Sequence, residues 1–294
     1  KAVANASTAW LYGASGVNCS LLGIGERTGN VPLEAMVMQY ASLRGTLDGI
    51  RQAGMQPLGT FASKEEFDAT QGFTVVNIQG IRVALVAFTK GMNGLGLPSG
   101  SEHSVNLLYT DYATNYQKIA EKEIKQILKN VETEKPDITI AMLHWGSEYN
   151  DDISKTQKSI VSLMQKQGVD VIIGTHPHLV QEIEYDETTG FFCAYSLGDF
   201  FGDGSRSGTA YSIILDLEIT KNYDTGETRV TNYEYTPIYT LQETDCPDNQ
   251  RRVVRMETAM TAYDINFVDK IIESCNENMK YSLSRIVSRI NGEG

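Results

Sequence analysis

The chain has 294 residues, of which 41% are hydrophobic and 21% charged. It is therefore long and apolar enough to bury a substantial core, as one large domain or two small ones. Its net charge of −12 and pI of about 4.8 argue against nucleic-acid binding and against an anionic membrane surface, since both need a basic face. An anionic substrate would need a metal ion or a local Lys/Arg cluster to offset this charge.

The spacing of the cysteines and the lengths of the apolar runs argue against further classes of protein. The four cysteines lie far apart and form no CxxC pair, which argues against a thiolate zinc site or a dithiol redox motif. Cys193 lies in an apolar run and is predicted to be a small buried hydrophobe. No run approaches the roughly 20 apolar residues that span a bilayer. No charged-then-apolar signal segment is visible either.

Residues 1–48 have a character of their own, predicted as helix, strand, Gly-rich loop and amphipathic helix. Two motifs, Asn18-Cys-Ser-Leu-Leu-Gly-Ile-Gly-Glu-Arg-Thr-Gly-Asn30 and Pro32-Leu-Glu-Ala35, resemble part of a TIM barrel. It is the barrel of the Re-citrate synthase, isopropylmalate synthase and HMG-CoA lyase group. The resemblance implies acyl transfer; the alternative is a βα unit without chemistry of its own.

The middle of the chain predicts alternating helices and strands. Residues 63–66 fit a capping box before a short helix, and residues 73–78 and 81–88 are predicted to be an antiparallel pair. Residues 90–100 are too rich in Gly and Pro for regular structure and predict a lid or rim loop. Residues 111–135 carry an apolar stripe at helical spacing and predict one long helix.

Three of the four histidines follow two predicted strands. The apolar run 137–143 ends at His144, and the run 169–174 is followed by His176 and His178. A helix that opens with a capping box joins the two runs. The right-handed crossover of such a βαβ unit places both strand ends on one edge of the sheet, where sites of α/β proteins gather. We therefore expect the three histidines to converge.

Beyond the histidines the periodicity becomes that of β-strands. One strand pair flanks the turn at residues 186–190, and a second joins residues 209–219 to residues 229–239, with Pro237 suggesting a sheet edge. Residues 257–291 are predicted to be helical. The predicted packing face of this helical region consists of Ile265, Val268, Ile271 and Ile272.

The histidine cluster indicates a metal site. Neutral imidazole is the commonest protein metal ligand, and carboxylates complete such sites. The loop carboxylates that could contribute are Glu148, Asp151, Asp152, Asp199 and Asp203. The alternatives are that the histidines are surface or capping groups, and that Asp199 and Asp203 only form turns beside glycine. Trp145 is either a core aromatic residue or a wall for substrate.

From about residue 47 to 260, the motifs at residues 143–149, 168–181 and 195–200 resemble the CapA family of poly-γ-glutamate capsule proteins. That family has a calcineurin-like metallophosphoesterase fold. By position, three residues match the family's metal-site histidines, namely His144, His176 and His178. Glu148 lies beside them, and Asp199 stands where the family usually has Asn.

The resemblance implies an α/β fold with a mixed sheet flanked by helices, followed by C-terminal β-hairpins and helices. Family members begin with a strand leading to Gly-Asp and later carry an Asn-Asn-His stretch; this sequence has no Gly-Asp before residue 198 and no Asn-Asn-His. We predict that residues 1–48 are a barrel-type segment. It is joined, at about residues 46–49, to a CapA-like domain over residues 49–294 that lacks its usual opening units.

The implied function is metal-dependent hydrolysis in poly-γ-glutamate or capsule-polymer biosynthesis, at the cell surface or outside the cytoplasm. A divalent metal (Mn, Zn or Fe) would act with His144 and His178 as catalytic residues. With half of the family's ligands missing, a single metal is expected. The partners implied are an anionic polymer or a small-molecule substrate, and other capsule-synthesis proteins. Two alternatives stay open: a non-catalytic polymer-binding or assembly factor, and an acyltransferase fragment. The predicted metal ligands are His144, His176, His178, Glu148 and Asp199.

Overall fold

A computed structural model describes residues 45–94, 96–97, 100–202, 204–245, 251–265 and 271–293. The predictions made for residues 1–44 therefore lie outside the described residues, as do Asp203 and Val268. The first described element is a helical segment at residues 45–52, which is followed by Gly54 in a left-handed conformation (φ 75°).

Helices and strands are interspersed as far as residue 175, after which come a run of strands and two C-terminal helices. The helices are α1 Lys64–Thr70, α2 Glu121–Thr133, α3 Lys155–Lys166, α4 Met256–Asp264 and α5 Glu273–Ile290. The strands are β1 Phe73–Ile78, β2 Ile81–Thr89, β3 Ile138–His144, β4 Val171–Thr175, β5 Ile183–Asp186, β6 Phe191–Ala194, β7 Tyr211–Lys221, β8 Thr228–Leu241 and β9 Arg252–Arg255.

The strands form two sheets. The larger sheet has the order β1-β2-β3-β4-β6-β5, and the smaller one has the order β7-β8-β9. Strands β2, β3, β4 and β6 are mutually parallel, while β1 and β5 are antiparallel strands at the edges. The smaller sheet is antiparallel. The predicted α/β class with a mixed sheet, the βαβ unit and the strand pairs are confirmed.

The parallel strands are buried on both faces. On β2, Ala84 belongs to an apolar cluster with α2 and α3, while its neighbour Val83 belongs to a second cluster with the smaller sheet, α4 and α5. Because each face meets a different layer, these strands read as continuous Val/Ile runs rather than alternating ones. The fold thus has three layers. Helices α2 and α3 form the first, the larger sheet forms the second, and the smaller sheet with α4 and α5 forms the third.

Local capping fixes where two of the helices begin. Ser154 accepts the Gln157 N–H and the Gln157 side chain bonds back to Ser154, so the predicted capping box opens α3. Ser63 likewise accepts the Glu66 N–H at the start of α1, but the Glu66 carboxylate accepts from Ala62 instead of Ser63. Of the two hydrogen bonds of the predicted capping box, α1 therefore has only the one that the Glu66 N–H donates to Ser63.

The predicted helix over residues 111–135 is wrong in its first half. The Asp111 carboxylate accepts the backbone N–H groups of Gln117 and Lys118, which closes a compact loop. Tyr116 adopts a left-handed φ of 54°, which a helix cannot contain. Side-chain-to-backbone bonds of this kind compete directly with helix formation.

Pro237 lies where β8 is paired on one side only, although β8 as a whole is not an edge strand. Strand β8 is central in the smaller sheet, between β7 and β9. Pro237 pairs with Ile213 of β7, whereas β9 begins its pairing one residue later, at Ile238. The proline is tolerated because β9 does not extend to it, so no ladder bond on that side is lost.

The predicted helical region at residues 257–291 is two helices, α4 and α5. Ile265 and Ile272 are 66% and 43% exposed, so they do not form the packing face that the sequence predicted. Ile271 packs against the second cluster, partly buried. The apolar side chains that α5 buries are Cys275, Met279, Ile286 and Ile290.

Candidate functional site

The register of three parallel strands brings their carboxyl ends into line. Thr89 pairs with His144, and His144 pairs with Thr175. Beyond this row, the Lys90 N–H donates to the His144 carbonyl at 2.7 Å, and the Trp145 N–H donates to the Thr175 carbonyl at 3.2 Å. These bonds fix the start of each loop, so residues 90, 144 and 176 lie side by side.

The three histidines converge at this edge of the sheet. The ring centroids of His144 and His176 are 4.4 Å apart, and those of His176 and His178 are 6.1 Å apart. Glu148, His176 and His178 each offer a ligand atom, and these atoms all lie within 4.8 Å of one another. Among the described residues, no other group of three or more His, Cys, Asp or Glu side chains brings its ligand atoms this close together. His144 lies beside this group but is not one of its three members.

Asp199 and Tyr149 hold the His178 ring from two sides. An oxygen of the Asp199 carboxylate lies 2.8 Å from His178 Nδ1. The Tyr149 ring stacks on the imidazole with a centroid distance of 5.2 Å and an interplanar angle of 18°. A carboxylate on one imidazole nitrogen fixes the tautomer and the ring plane, which leaves the other nitrogen free to bind.

The backbone at the site is unusual. His176, His178 and Tyr149 have φ angles of 95°, 62° and 58°, a region that non-glycine residues seldom occupy. Each such conformation costs on the order of 1–3 kcal/mol and persists only where the surrounding structure enforces it. Such residues cluster at functional sites, and here they are His178, the tyrosine stacked on its ring and the neighbouring His176.

Lys90 is a site residue that the sequence interpretation missed. Its Nζ lies 2.6 Å from the Gly146 carbonyl oxygen, 3.2 Å from His176 Nε2 and 4.6 Å from the centroid of the Tyr116 ring. The apolar run at residues 81–88 could have located it. If this run is a further parallel strand of the same sheet, Lys90 follows its carboxyl end, at the edge that carries the histidines. The cavity of about 260 Å³ at this position is lined by Lys90, Gly91, Asn93, Tyr116, His144, Ser147, Glu148 and His176.

Burial and the nearby ammonium keep two of the imidazoles neutral. Burial, followed by the charge of Lys90, lowers the pKa of His176 to about 4. The pKa of His144 is also lowered, first by burial and then by Lys90. Burial lowers the pKa of Lys90 as well, although Glu148 opposes that shift. Both histidines are therefore neutral at pH 7, the form in which imidazole binds a metal or accepts a proton.

Other predicted site residues lie elsewhere. Asp151 forms ion pairs with Arg289 and, at 3.4 Å, with Arg285, so it does not face the histidines. Trp145 is fully buried and its Nε1–H donates to the Tyr195 carbonyl at 2.9 Å, so it is a core residue and not a substrate wall. Cys193 is buried as predicted, and burial raises the pKa of its thiol.

Two groups of known proteins match the chain over different ranges. Citrate (Re)-synthase of Clostridium kluyveri is 52% identical over 63 residues, which are 21% of this chain and 14% of that protein. An HMGL-like family model matches residues 1–55. Among solved structures, the calcineurin-like phosphoesterase YfkN from Bacillus subtilis aligns with 56% of this chain and 49% of its own, at 14% identity and a TM-score of 0.33.

The larger part matches capsule proteins. The PGA biosynthesis protein CapA of Bacillus subtilis is 26% identical over 220 residues, covering 69% of this chain and 53% of that protein. The capsule biosynthesis protein CapA of Bacillus anthracis is 26% identical over 181 residues, 61% of this chain and 41% of its own length. The chain thus spans about half the length of these relatives. In the described part of the chain, no helix has the length and apolar character needed to cross a membrane.

The family resemblance inferred from the three motifs is confirmed. A model of the family described as bacterial capsule synthesis protein PGA_cap matches residues 35–203, more than half of the chain. This range contains all three clustered histidines, Glu148 and Asp199. The protein belongs to the bacterial capsule synthesis protein PGA_cap family.

Proposed function

We propose that the protein is a metal-dependent hydrolase acting in the biosynthesis of poly-γ-glutamate or a related anionic surface polymer. The observation that carries the proposal is the group formed by Glu148, His176 and His178, whose ligand atoms lie within 4.8 Å of one another. Two imidazoles and one carboxylate suit Zn, Mn or Fe, and the neutral state of His176 favours binding at pH 7. A divalent metal held there would polarise a phosphoryl or acyl group.

The remaining side chains have distinct roles in this proposal. Asp199 orients His178 through the 2.8 Å contact at Nδ1. His144 is neutral and beside the ligand group, so it is suited to accept a proton from attacking water or to act as a further ligand. His178 is the second candidate for proton transfer only where its other nitrogen is not a metal ligand, because Nδ1 contacts Asp199. The described residues contain no second ligand group of this size, which favours a mononuclear site.

The setting of the reaction is part of the same proposal. The names of the relatives support a carboxylate-rich polymer as substrate, other capsule-synthesis proteins as partners, and a location at the cell surface. The two family models overlap over residues 35–55, which supports a joint near residues 46–49 between a barrel-type segment and the CapA-like domain. The net charge of −12 argues against nucleic acid as a partner.

Metal content tests the proposal directly. After loading with Mn or Zn and removal of free metal, we expect about one equivalent per chain by elemental analysis, because three preorganised ligands surround one position. Retention of less than about a tenth of an equivalent would contradict a metal-dependent reaction. It would favour a non-catalytic polymer-binding factor. That second candidate is supported by Lys90, whose ammonium lies 3.2 Å from His176 Nε2, where it competes with a cation.

Replacing Lys90 with methionine should strengthen metal binding. The ammonium of Lys90 and a divalent cation on His176 would repel each other within a few ångströms, and unit charges about 4 Å apart interact by roughly 1–4 kcal/mol at protein surfaces. Lys90→Met keeps an unbranched side chain of similar length and removes the charge, together with the contact of the ammonium with the Tyr116 ring. We expect the affinity for Mn or Zn, measured by isothermal titration calorimetry, to rise at least about tenfold.

The matched control is Lys125→Met, since Lys125 lies on α2 and forms an ion pair with Glu121. It carries the same charge change and should leave metal affinity unchanged. A loss of affinity in Lys90→Met would show that the lysine supports the site instead of competing for it.

A further inference from the structure

A second cavity, of about 560 Å³, adjoins the histidine site through Tyr149. The ring of Tyr149 stacks on His178 at 5.2 Å and also lines this cavity. The far wall is the C-terminal helix α5, which contributes Tyr281, Arg285 and Arg289. The Tyr149 ring therefore lies between His178 and the cavity, and a group bound in the cavity would be one aromatic ring away from the histidine site.

The cavity is cationic in a strongly acidic protein. Its lining holds the guanidinium groups of Arg206, Arg285 and Arg289 and a single carboxylate, that of Asp151. Both Arg285 and Arg289 contact the same Asp151 oxygen, so that one acid is shared between two arginines. Three cationic groups against one carboxylate leave a local excess of positive charge in a chain of net charge −12.

Arg206 has no carboxylate partner in the part of the chain that the structure describes. Its guanidinium lies over the Tyr149 ring, 4.7 Å from the centroid, and the side chain is exposed. A cation stacked on an aromatic ring keeps its in-plane N–H groups directed outward and available. This arrangement places donors beside the aromatic ring that contacts His178.

Arg289 is held in place and still has an unused donor. The side chain is 8% exposed, its Nη1 donates to Tyr211 Oη at 2.9 Å, and its Nη2 pairs with Asp151. Its Nε is buried and has no acceptor among the described residues. Leaving a charged donor without an acceptor costs free energy, so this guanidinium has hydrogen-bonding capacity that the described residues do not use.

Gly208 allows the chain to approach this arginine closely. It adopts a φ of 90°, and a Cβ at this position would lie 2.7 Å from Leu179 Cδ2 and 3.3 Å from Arg289 Nη1. The loop that carries Arg206 is thereby seated against α5 without a side chain filling the gap. All three arginines lie outside residues 35–203, the range that the family model matches.

We propose that this arginine cavity, defined by Arg206, Arg285 and Arg289, is an oxyanion-binding subsite that holds an anionic group of the substrate next to the histidine site. Planar guanidinium groups pair with carboxylate or phosphate through two parallel N–H bonds. The identification of the bound molecule as substrate rests on the proposed function; the cavity's preference for oxyanions does not. A chain bearing a carboxylate on each unit would place one unit at His178 and the next among the arginines.

Direct binding without metal tests the subsite. The full chain is titrated, in EDTA and low salt, against a fluorescently labelled γ-linked glutamate oligomer, and binding is followed by anisotropy. Arg206→Gln and Arg285→Gln should each weaken binding about threefold, and the double variant at least tenfold, because each removes one guanidinium. A parallel titration with polyphosphate of equal charge identifies whether carboxylate or phosphate is preferred.

Arg229→Gln is the matched control, since Arg229 is on β8 and contacts the carbonyl oxygens of Glu187 and Thr188. It should bind the oligomer as the wild type does. If the double variant binds both anions as tightly as the wild type, or the wild type binds neither, the subsite is wrong. Because EDTA is present throughout, that result is independent of metal loading, and a failure to load metal leaves this result untouched.

Discussion

Gly174→Ala should destabilise the fold by about 3 kcal/mol or more, since it forces a methyl group into a fully packed position. Gly174 lies in β4, between β3 and β6. A Cβ there would lie 2.0 Å from the Tyr195 carbonyl oxygen and 2.4 Å from Trp145 Nε1. These two atoms are themselves joined by a 2.9 Å hydrogen bond, so the methyl group would separate them.

The backbone cannot move aside to relieve this contact. Gly174 pairs with Leu143 of β3, the residue before it pairs with β6, and the Trp145 and Tyr195 rings are stacked at 5.5 Å in the core. Thermal unfolding followed by circular dichroism should show the midpoint falling by roughly 6–12 °C. Because His176 follows β4 directly, metal affinity should fall along with stability.

Gly49→Ala is the control for this substitution. Gly49 lies in the helical segment at residues 45–52, and a Cβ there would meet no atom within 4 Å. Alanine is favoured over glycine in helices by about 1 kcal/mol, so this variant should be as stable as the wild type or slightly more stable. An unfolding midpoint for Gly174→Ala equal to that of the wild type would mean that the strand has more freedom than its packing indicates.

The elements that the sequence predicted correctly are those fixed by neighbouring residues. The capping box at Ser154 and Gln157 is a local signal, and it opens α3 as predicted. The Val/Ile run that ends at Gly174 follows a predicted helix. A short apolar run in that position indicates a buried parallel strand. With two such strands joined by one helix, the convergence of His144 with His176 followed from chain handedness alone.

The elements that the sequence missed depend on contacts between distant residues. Tyr112 and Tyr116 have helical spacing, but a single carboxylate, Asp111, and the packing of the Lys90 ammonium on Tyr116 favour a loop. Lys90 opens residues 90–100, whose Gly and Pro content predicts a lid or rim loop, and the hairpin interpretation of residues 81–88 does not place their end at the edge with the histidines. Arg289 could not have been placed near residue 151 from sequence, since no local pattern links a C-terminal helix to a loop so far away.

His176→Ala should lower the affinity for Mn or Zn by at least about 100-fold, because it removes one of three protein ligands from a single site. His176 is the member whose pKa is lowered to about 4, so at pH 7 its imidazole binds a cation without first losing a proton. Glu148 and His178 alone would hold a divalent ion weakly. Calorimetric titration of apo-protein with each metal measures the change.

Two other histidine variants complete the comparison. His103, in the short turn Glu102–Ser104, is outside the ligand group, so His103→Ala should bind metal as the wild type does. His144→Ala distinguishes the two roles proposed for this residue: a proton-transfer group can be removed with less than about a threefold change in affinity, whereas a ligand cannot. If His176→Ala retains wild-type affinity, the metal is bound elsewhere, and the group of Glu148, His176 and His178 is not the metal site.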